Sequence, residues 1–504
     1  MKHLRFSAFL TALALLLMLT ACGGDPDSSS SAVSSADSFQ GSIQEQEPVD
    51  TPFALAVYPA YSLHPTLAAN RANLTLAPLL YEPLFQVDNS FQVTPVLCQN
   101  YTAGPDKLTW TFTIRSGITF SDGTPLTGTS VADALNTARA ADSRYFQRLS
   151  HVTSVTGADQ TVTITLSDPN SNLPALLDIP IALGVGDRPA GTGPYVLSGT
   201  DEAPALTART GWWQNKPLPA DTLNLQPVGK SDELIFSFSS GDVSLVDVDL
   251  MGTNALGYSG NYETWDYPTT DLIYLGFNTQ SGLCRSAEVR QALAKAIDRS
   301  AVTQTIYASH AVASTLPVHP NSALYDETRA EALAYDPDAS IERLDSRNAL
   351  GRKLVLLVNS ENTAKVSTAQ LIAYQLETAG MEVSLNQLSF EDYAAALAAG
   401  DFDLYLGEVV LPADFDLSAL LTGSLNYGGW YSEEIAGLLY TLASAESYDR
   451  GSAACALFDH LNEQAPIAPI CFKNGSVLTQ WGRLTGLSPI RGNMFYQLEN
   501  WIIS

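Results

Sequence analysis

LTWTFTIRSGITFSDGTPLT, residues 108–127, opens by alternating apolar and hydroxyl side chains. Leu108, Trp110, Phe112 and Ile114 fall on one side and Thr109, Thr111 and Thr113 on the other, the period-two signature of a half-buried strand. Ser116 and Gly117 turn the chain, and Ile118 with Phe120 reads as a partner strand. Asp122 and Gly123 build the next turn, because Asp bonds nearby backbone and Gly accepts positive φ. Val162, Ile164 and Leu166 repeat the alternation. With an initial buried strand at Phe53–Tyr58, the first half is expected to hold antiparallel sheet and short helices.

The second half changes character. Leu354–Val358 is a continuous apolar run, as expected of a strand buried on both faces. A helix from about Val366 ends at Gly380, a good C-terminal cap. A strand at Met381–Leu385, a helix through Tyr393–Gly400 and a strand at Phe402–Leu406 follow. That β-α-β-α-β series predicts an α/β fold with a largely parallel sheet. Two differently built halves imply two lobes with a cleft between them.

Outward from the body, residues 1–21 have the layout of a secretory signal: Lys2 and Arg5, then the apolar stretch Phe9–Leu19. Leu19, Thr20, Ala21 and Cys22 resemble the bacterial lipobox, which makes Cys22 the expected lipid anchor. Residues 22–50 then read as a tether, since the Ser-, Gly-, Asp- and Gln-rich tract cannot bury a core. The formal net charge of −27 becomes more negative when Lys2 and Arg5 leave with the signal. Such a surface repels phosphate backbones, so nucleic acid is excluded as a partner, and membrane contact is expected through the lipid. No later segment is long and apolar enough for a transmembrane helix.

Cys98, Cys284, Cys455 and Cys471 show no CxxC pair or zinc spacing, and the six histidines are scattered. Cys455 and Cys471 are the nearest pair for a disulfide, with buried free thiols as the alternative. No metal site and no cofactor are expected. GxSxG, SxxK, HExxH and the phosphate-cradling GxxxxGK[ST] are all missing, so the sequence offers no seed for a hydrolase or an ATPase.

Several segments, in order, resemble the family 5 extracellular solute-binding proteins, which include oligopeptide- and dipeptide-binding lipoproteins of ABC importers. Tyr81-Glu82-Pro83-Leu84-Phe85 looks like the family's YEPL segment, and residues 108–127 like its most recognisable stretch. Gly191-Thr192-Gly193-Pro194-Tyr195 is similar to its GTGPY, and Arg209–Pro217 to its Arg-x-x-x-Tyr-Trp element, with Trp212 and Trp213 in the aromatic place. Phe277-Asn278-Thr279, Val289–Leu293 and Ala296–Arg299 resemble its FNT strand and VRQAL…AIDR helix. Phe495–Ile502 resembles the strand that returns to the first lobe. Most of these motifs read as structural. Ser286 can cap a Ser286–Val302 helix, and Asp298 with Arg299 reads as an ion pair or solvated face rather than catalytic.

The resemblance implies a two-lobed periplasmic-binding-protein-like fold of type II (cluster C), with an extra subdomain inserted in the first lobe. Lobe I would take residues 51–80, 186–278 and 472–504, the inserted subdomain 81–185 and lobe II 279–471, with crossings near Thr279 and Phe472. It implies a monomeric, extracytoplasmic protein on the cell membrane that closes on a peptide and delivers it to ABC permease subunits. An oligosaccharide, a metal chelate or a sensory role is the alternative within the same fold. In the family a second-lobe carboxylate commonly pairs with the peptide amine. With Asp416 set against the acidic residue before the family's following helix, that position falls on Leu411. Glu408 or Asp414 would then supply the charge, Asp414 and Asp416 having helix capping as their other reading. Tyr58, Tyr61, Asn278, Asn426, Tyr427 and Trp430 are the remaining ligand-binding candidates, aromatic faces with polar tips suiting peptides and sugars alike.

Overall fold

The computed structural model describes residues 52–504 apart from Asp201, Asn254 and Leu256. The signal segment, Cys22 and the tether lie outside the described residues. Within them no helix is long and apolar enough to cross a membrane.

The opening stretch folds as its alternation requires. Strand Thr109–Ile114 sits inside a four-stranded antiparallel sheet between Cys98–Ala103 and Thr161–Leu166, with Val152–Ala158 on the far edge. Trp110, Phe112 and Ile114 share a core with Val162, Ile164 and Leu166, covered by helix Gly128–Ala138. Ile118 and Phe120 do not form the expected partner strand. Phe120 N–H donates to Thr124 O and Thr124 N–H to Asp122 Oδ1, which curls the chain into a tight loop with Gly123 at φ +89°. One isolated bridge, Thr119 to Pro125, remains, and both apolar side chains plug the core instead.

The second half has the expected β-α-β-α-β order. Lys353–Asn359 pairs in parallel with Glu382–Leu388 and with Leu404–Val410, and helices Thr363–Thr378 and Phe390–Ala399 make the crossovers. Gly380 and Gly400 take positive φ after each helix, where a side chain would be strained.

Two long strands, Tyr262–Phe277 and Ile467–Gln480, join the halves into one eleven-stranded sheet. They pair antiparallel along most of their length, with register shifts between Pro268 and Asp271 and between Ile273 and Tyr274. One end of the pair adjoins Leu245–Val248 and Ala54–Val57, the other Leu404–Val410. The strand returning to the first half is therefore Ile467–Gln480. Phe495–Ile502, expected in that role, is a loop with a short 3-10 turn whose Phe495, Leu498 and Trp501 fill the core beside Phe53.

Cross-strand pairs set tyrosine against glycine. Tyr274 faces Gly407, Gly276 faces Tyr405, and Tyr267 faces Gly475. Each ring lies over the bare backbone opposite: a Cβ on Gly407 would come within 2.4 Å of the Tyr274 ring. Gly407→Ala is expected to lower stability by about 1–3 kcal/mol through overpacking, read as a shifted denaturant midpoint with an unchanged slope.

The recognisable motifs turn out to be joints. Glu82 is buried and accepts from Trp212 Nε1 (3.2 Å), Trp213 Nε1 (2.6 Å) and Gln214 Nε2 (2.6 Å). Arg209 Nη2 donates to the carbonyls of Thr119 and Phe120, and Gly191 lies so close to Leu80 O that a Cβ would sit 2.0 Å away. Ser286 caps a helix, as expected, but that helix is Ala287–Lys295; Asp298 caps a second one, Arg299–Thr305. Arg299 is neither solvated nor hydrogen-bonded to Asp298. It is buried and donates to the carbonyls of Pro469, Ala294, Ile297 and Leu333, as Arg290 does to those of Gln464, Ala465, Cys284 and Arg285. All four described cysteines are free thiols, Cys98, Cys284 and Cys471 buried and Cys455 partly exposed.

Candidate functional site

Strand direction places the site. Ala54–Val57 and Leu245–Val248 are parallel to each other and run against Ile467–Gln480. Lys353–Asn359, Glu382–Leu388 and Leu404–Val410 are parallel and run against Tyr262–Phe277. Because the two long strands are themselves antiparallel, the carboxyl ends of both sets face each other across the middle of the long pair. Carboxyl ends of parallel strands are where α/β sheets bind ligands.

Lys473, almost wholly buried, floors this crevice. Its Nζ lies 2.9 Å from Asp271 Oδ2, 2.6 Å from Glu408 Oε1 and 3.4 Å from Asp249 Oδ2, and Lys365 Nζ lies 3.5 Å from Glu408 Oε2. The cluster ties both halves of the sheet together, since Asp249 follows Leu245–Val248 and Glu408 lies on Leu404–Val410. Burial pushes the Asp271 carboxyl up to about 6 against the pull of Lys473, with Glu408 adding to the rise. Glu408 is also raised by burial, yet Lys473 and Lys365 together hold it below the usual carboxylate range.

Beside the floor, on the Ala54–Val57 side, is a cavity of about 510 Å³ lined by Tyr58, Asn70, Arg71, Asp247, Asp249 and Tyr258 among others. Arg71 Nε and Nη2 bond both oxygens of Asp247 at 2.9 and 3.2 Å, and Tyr267 O–H donates to Asp247 Oδ1. Buried Asn73 fixes the entrance: Oδ1 accepts from Tyr58 N–H, and Nδ2 donates to the carbonyls of Tyr58, Tyr61 and Ser62. Tyr61 remains exposed, edge-on to the Tyr58 ring at 6.0 Å. Across the crevice Asn362 Nδ2 donates to Met251 O and lies 3.4 Å from Thr253 Oγ1.

Of the residues expected at the site, Tyr58, Tyr61 and Glu408 lie at this crevice. Asn278, Asn426, Tyr427 and Trp430 do not. Asn278 is seven residues past Asp271 along the strand, about 23 Å away. It sits at the far edge, where its amide donates to Gly400 O and Phe402 O, not at the crossing expected of it. The 426–430 loop joins that same edge through Thr279 N–H to Gly428 O. Asn426 spends its amide on Leu421 O and on Trp430, Trp430 is core, and Tyr427 packs on Tyr405.

Leu411 is buried, with its N–H on Thr270 O, so its side chain faces core. Asp414 is buried as well, accepting from Asn170 Nδ2 at 2.7 Å and from Asp416 N–H, and its carbonyl accepts from Arg450. It ties the sheet containing Thr109–Ile114 to the 411–417 loop rather than capping a helix; Asp416 is the residue that bonds Ser418 N–H. Arg71, Asn73, Asp247, Asp249 and Lys473 escaped the sequence reading because no local pattern marks them. The strand pairing alone brings them together.

Opposed strand ends of a mixed sheet over a charged floor, with a cavity beside it on the first-half side, are an arrangement that can hold a small solute. The profile of bacterial extracellular solute-binding proteins, family 5 (middle region), matches residues 92–430, and the chain belongs to that family, the solute-binding components of ABC transporters. The glutathione-binding protein GsiB of Shigella flexneri is 25% identical over 355 residues, covering 66% of this chain and 69% of GsiB. The structure of HbpA2 from Haemophilus parasuis superposes with a TM-score of 0.75 at 18% identity, over 90% of this chain and 99% of that one. The periplasmic murein tripeptide-binding protein MppA, in its unliganded open form, gives 0.74 at 20% identity over 90% and 98%. These neighbours are of the two-lobed family fold, so the α/β two-lobed architecture stands, and the family makes this an extracytoplasmic protein.

Proposed function

We propose that this protein captures short peptides in the crevice around Tyr58, Tyr61, Arg71 and the Lys473 cluster and delivers them to an ABC permease. It acts by binding and closure, with no covalent step. The observation that carries the reading is the facing of two sets of strand ends over the charged Lys473 cluster, with a cavity beside it on the first-half side that carries Arg71, Asp247 and Asp249. Relatives that bind glutathione, itself a tripeptide, and murein tripeptide support the same class. In this reading lobe I takes residues 51–80, 186 to 268 and 474–504 and the inserted subdomain 81–185, while lobe II takes 271–473, because residues 271–277 pair with Leu404–Val410. The hinge motion falls at the register break between Pro268 and Asp271, opposite Lys473 and Asn474. Cys22 carries the lipid that holds the monomer at the membrane, and residues 22–50 serve as its tether.

Thermal melting of protein refolded to strip carried solute tests the reading. Di- to octapeptides, glutathione, sugars and metal chelates are compared. A native-state ligand at a hundred times its Kd adds about 2.7 kcal/mol, a readily visible rise in Tm. A rise with peptides is expected; a rise with sugars or chelates alone refutes the peptide class and leaves the binding protein standing.

A further inference from the structure

We propose that the inserted subdomain sets the angle between the lobes: its 88–92 turn plugs Phe91 into a socket on lobe II beside the hinge and straps that lobe to the carboxyl-terminal part of lobe I. This rests on the hinged two-lobe reading above and not on the class of the ligand. The turn joins the antiparallel strands Phe85–Val87 and Val93–Pro95. Asp88 builds it: Oδ1 accepts from the N–H groups of Ser90 and Gln92, while its backbone N–H donates to Gln92 O and its carbonyl accepts from Phe91 N–H. That leaves Phe91 at φ +58°, a conformation costly for a bulky side chain. The ring is nonetheless buried, in the core that holds Leu316, Val318, Phe415 and Phe472 of lobe II. Its centroid lies 5.0 Å from that of Phe415 and 5.1 Å from the His319 ring, and both of these rest on Phe472, at 6.3 and 5.2 Å. Burial pushes the His319 imidazole down to about 4, so it packs as a neutral ring. Phe415 is itself at φ +57°, and backbone strain of this kind persists only where surrounding contacts impose it. Phe472 immediately precedes Lys473, opposite the register break, so the socket stands on the hinge strand.

One residue of the turn touches both lobes. Asn89 Nδ2 donates to Pro489 O of lobe I at 3.0 Å, and its backbone carbonyl accepts from Asn321 Nδ2 of lobe II at 3.1 Å. Farther along the same boundary with lobe II, Asn170 Nδ2 donates to buried Asp414, Ser171 N–H donates to Ala443 O at 2.6 Å, and Lys107 Nζ lies 2.7 Å from Glu446 Oε1. The subdomain is also tied to lobe I, through Glu82 and its three donors and through Asp178 Oδ2, which accepts from Arg491 Nη2 at 2.9 Å. A body fixed on both sides of a hinge opposes rotation about it. Turning at the Pro268–Asp271 break carries Phe415 and His319 past the turn, so the lobes leave their present angle only as Phe91 leaves its socket.

The separation of the lobes, measured by pulsed electron spin resonance on the chain without residues 1–21, tests this. Labels are placed at two exposed sites, Lys230→Cys in lobe I and Glu382→Cys in lobe II, with Cys22→Ser and Cys455→Ser to confine the labelling. Protein stripped of carried solute and otherwise wild type is expected to show one dominant separation. F91A is expected to raise the population of other separations about 10-fold, the scale of losing two aromatic contacts. N321A removes only the exposed tie to Asn89; it is expected to shift the same way by less, and it decides the matter if F91A fails to fold. Folded variants that match wild type, or a wild type already spread over many separations, overturn the latch. Where wild type then still redistributes on adding trialanine or glutathione, hinged closure stands without it; where no protein redistributes under any condition, the hinged reading falls as well.

Discussion

Lys473→Met is expected to destabilise the protein by about 3–5 kcal/mol at pH 7, because it strands buried carboxylates that no other cation reaches. Lys473 is 4% exposed and lies within 3.4 Å of Asp249, Asp271 and Glu408; only Glu408 retains a second lysine, Lys365, at 3.5 Å. Methionine preserves most of the length of the side chain, so the loss reports charge rather than a cavity. Acid should relieve it. Without the lysine the carboxyls take up protons more readily in the folded chain than in the unfolded one. The variant therefore gains stability relative to wild type as pH falls. Asp271 already stands at about 6 in the presence of Lys473, so relief begins at or above that value. Urea unfolding at pH 7.5 and 5 measures it; a deficit that stays constant or deepens in acid refutes the charge explanation.

Glu82→Ala is the second large effect, also about 3–5 kcal/mol. It removes one buried carboxyl and leaves the N–H groups of Trp212, Trp213 and Gln214 without their acceptor. Here the pH trend is opposite. Burial outweighs those donors and raises the Glu82 carboxyl above its ordinary 4.5. A raised carboxyl contributes most below its unfolded value and loses that contribution as pH rises through its folded one. The deficit of Glu82→Ala should therefore be larger at pH 4 than at pH 7. Tryptophan fluorescence follows this variant directly, since both indoles are released; a loss under 1 kcal/mol would show that the knot of motifs is held by packing alone.

Which parts of this molecule were legible follows from range. Alternation at Leu108–Ile114 and the apolar run at Leu354–Val358 become strands because burial on one face or two is a local property of the chain. Gly380 ends its helix region for an equally local reason, the cost of positive φ to any side chain. Ile118 and Phe120 misled because their backbone groups close on Leu126 and Thr124 in a tight loop shaped by an Asx turn at Asp122. Asn278 lay in a recognisable segment, yet that segment marks a joint of the framework.

The sequence by itself determined the family, the α/β class and the β-α-β-α-β order between Lys353 and Val410, since these rest on periodicity and on short motifs. Only the tertiary structure decided the site. Arg71, Asp247, Asp249, Glu408 and Lys473 come from a short helix, a turn and three strands as much as 402 residues apart in the chain. They meet because two antiparallel strands turn the carboxyl ends of both half-sheets toward one crevice. A charge balance among such residues is a sum over neighbours in space, and no window along the chain contains it.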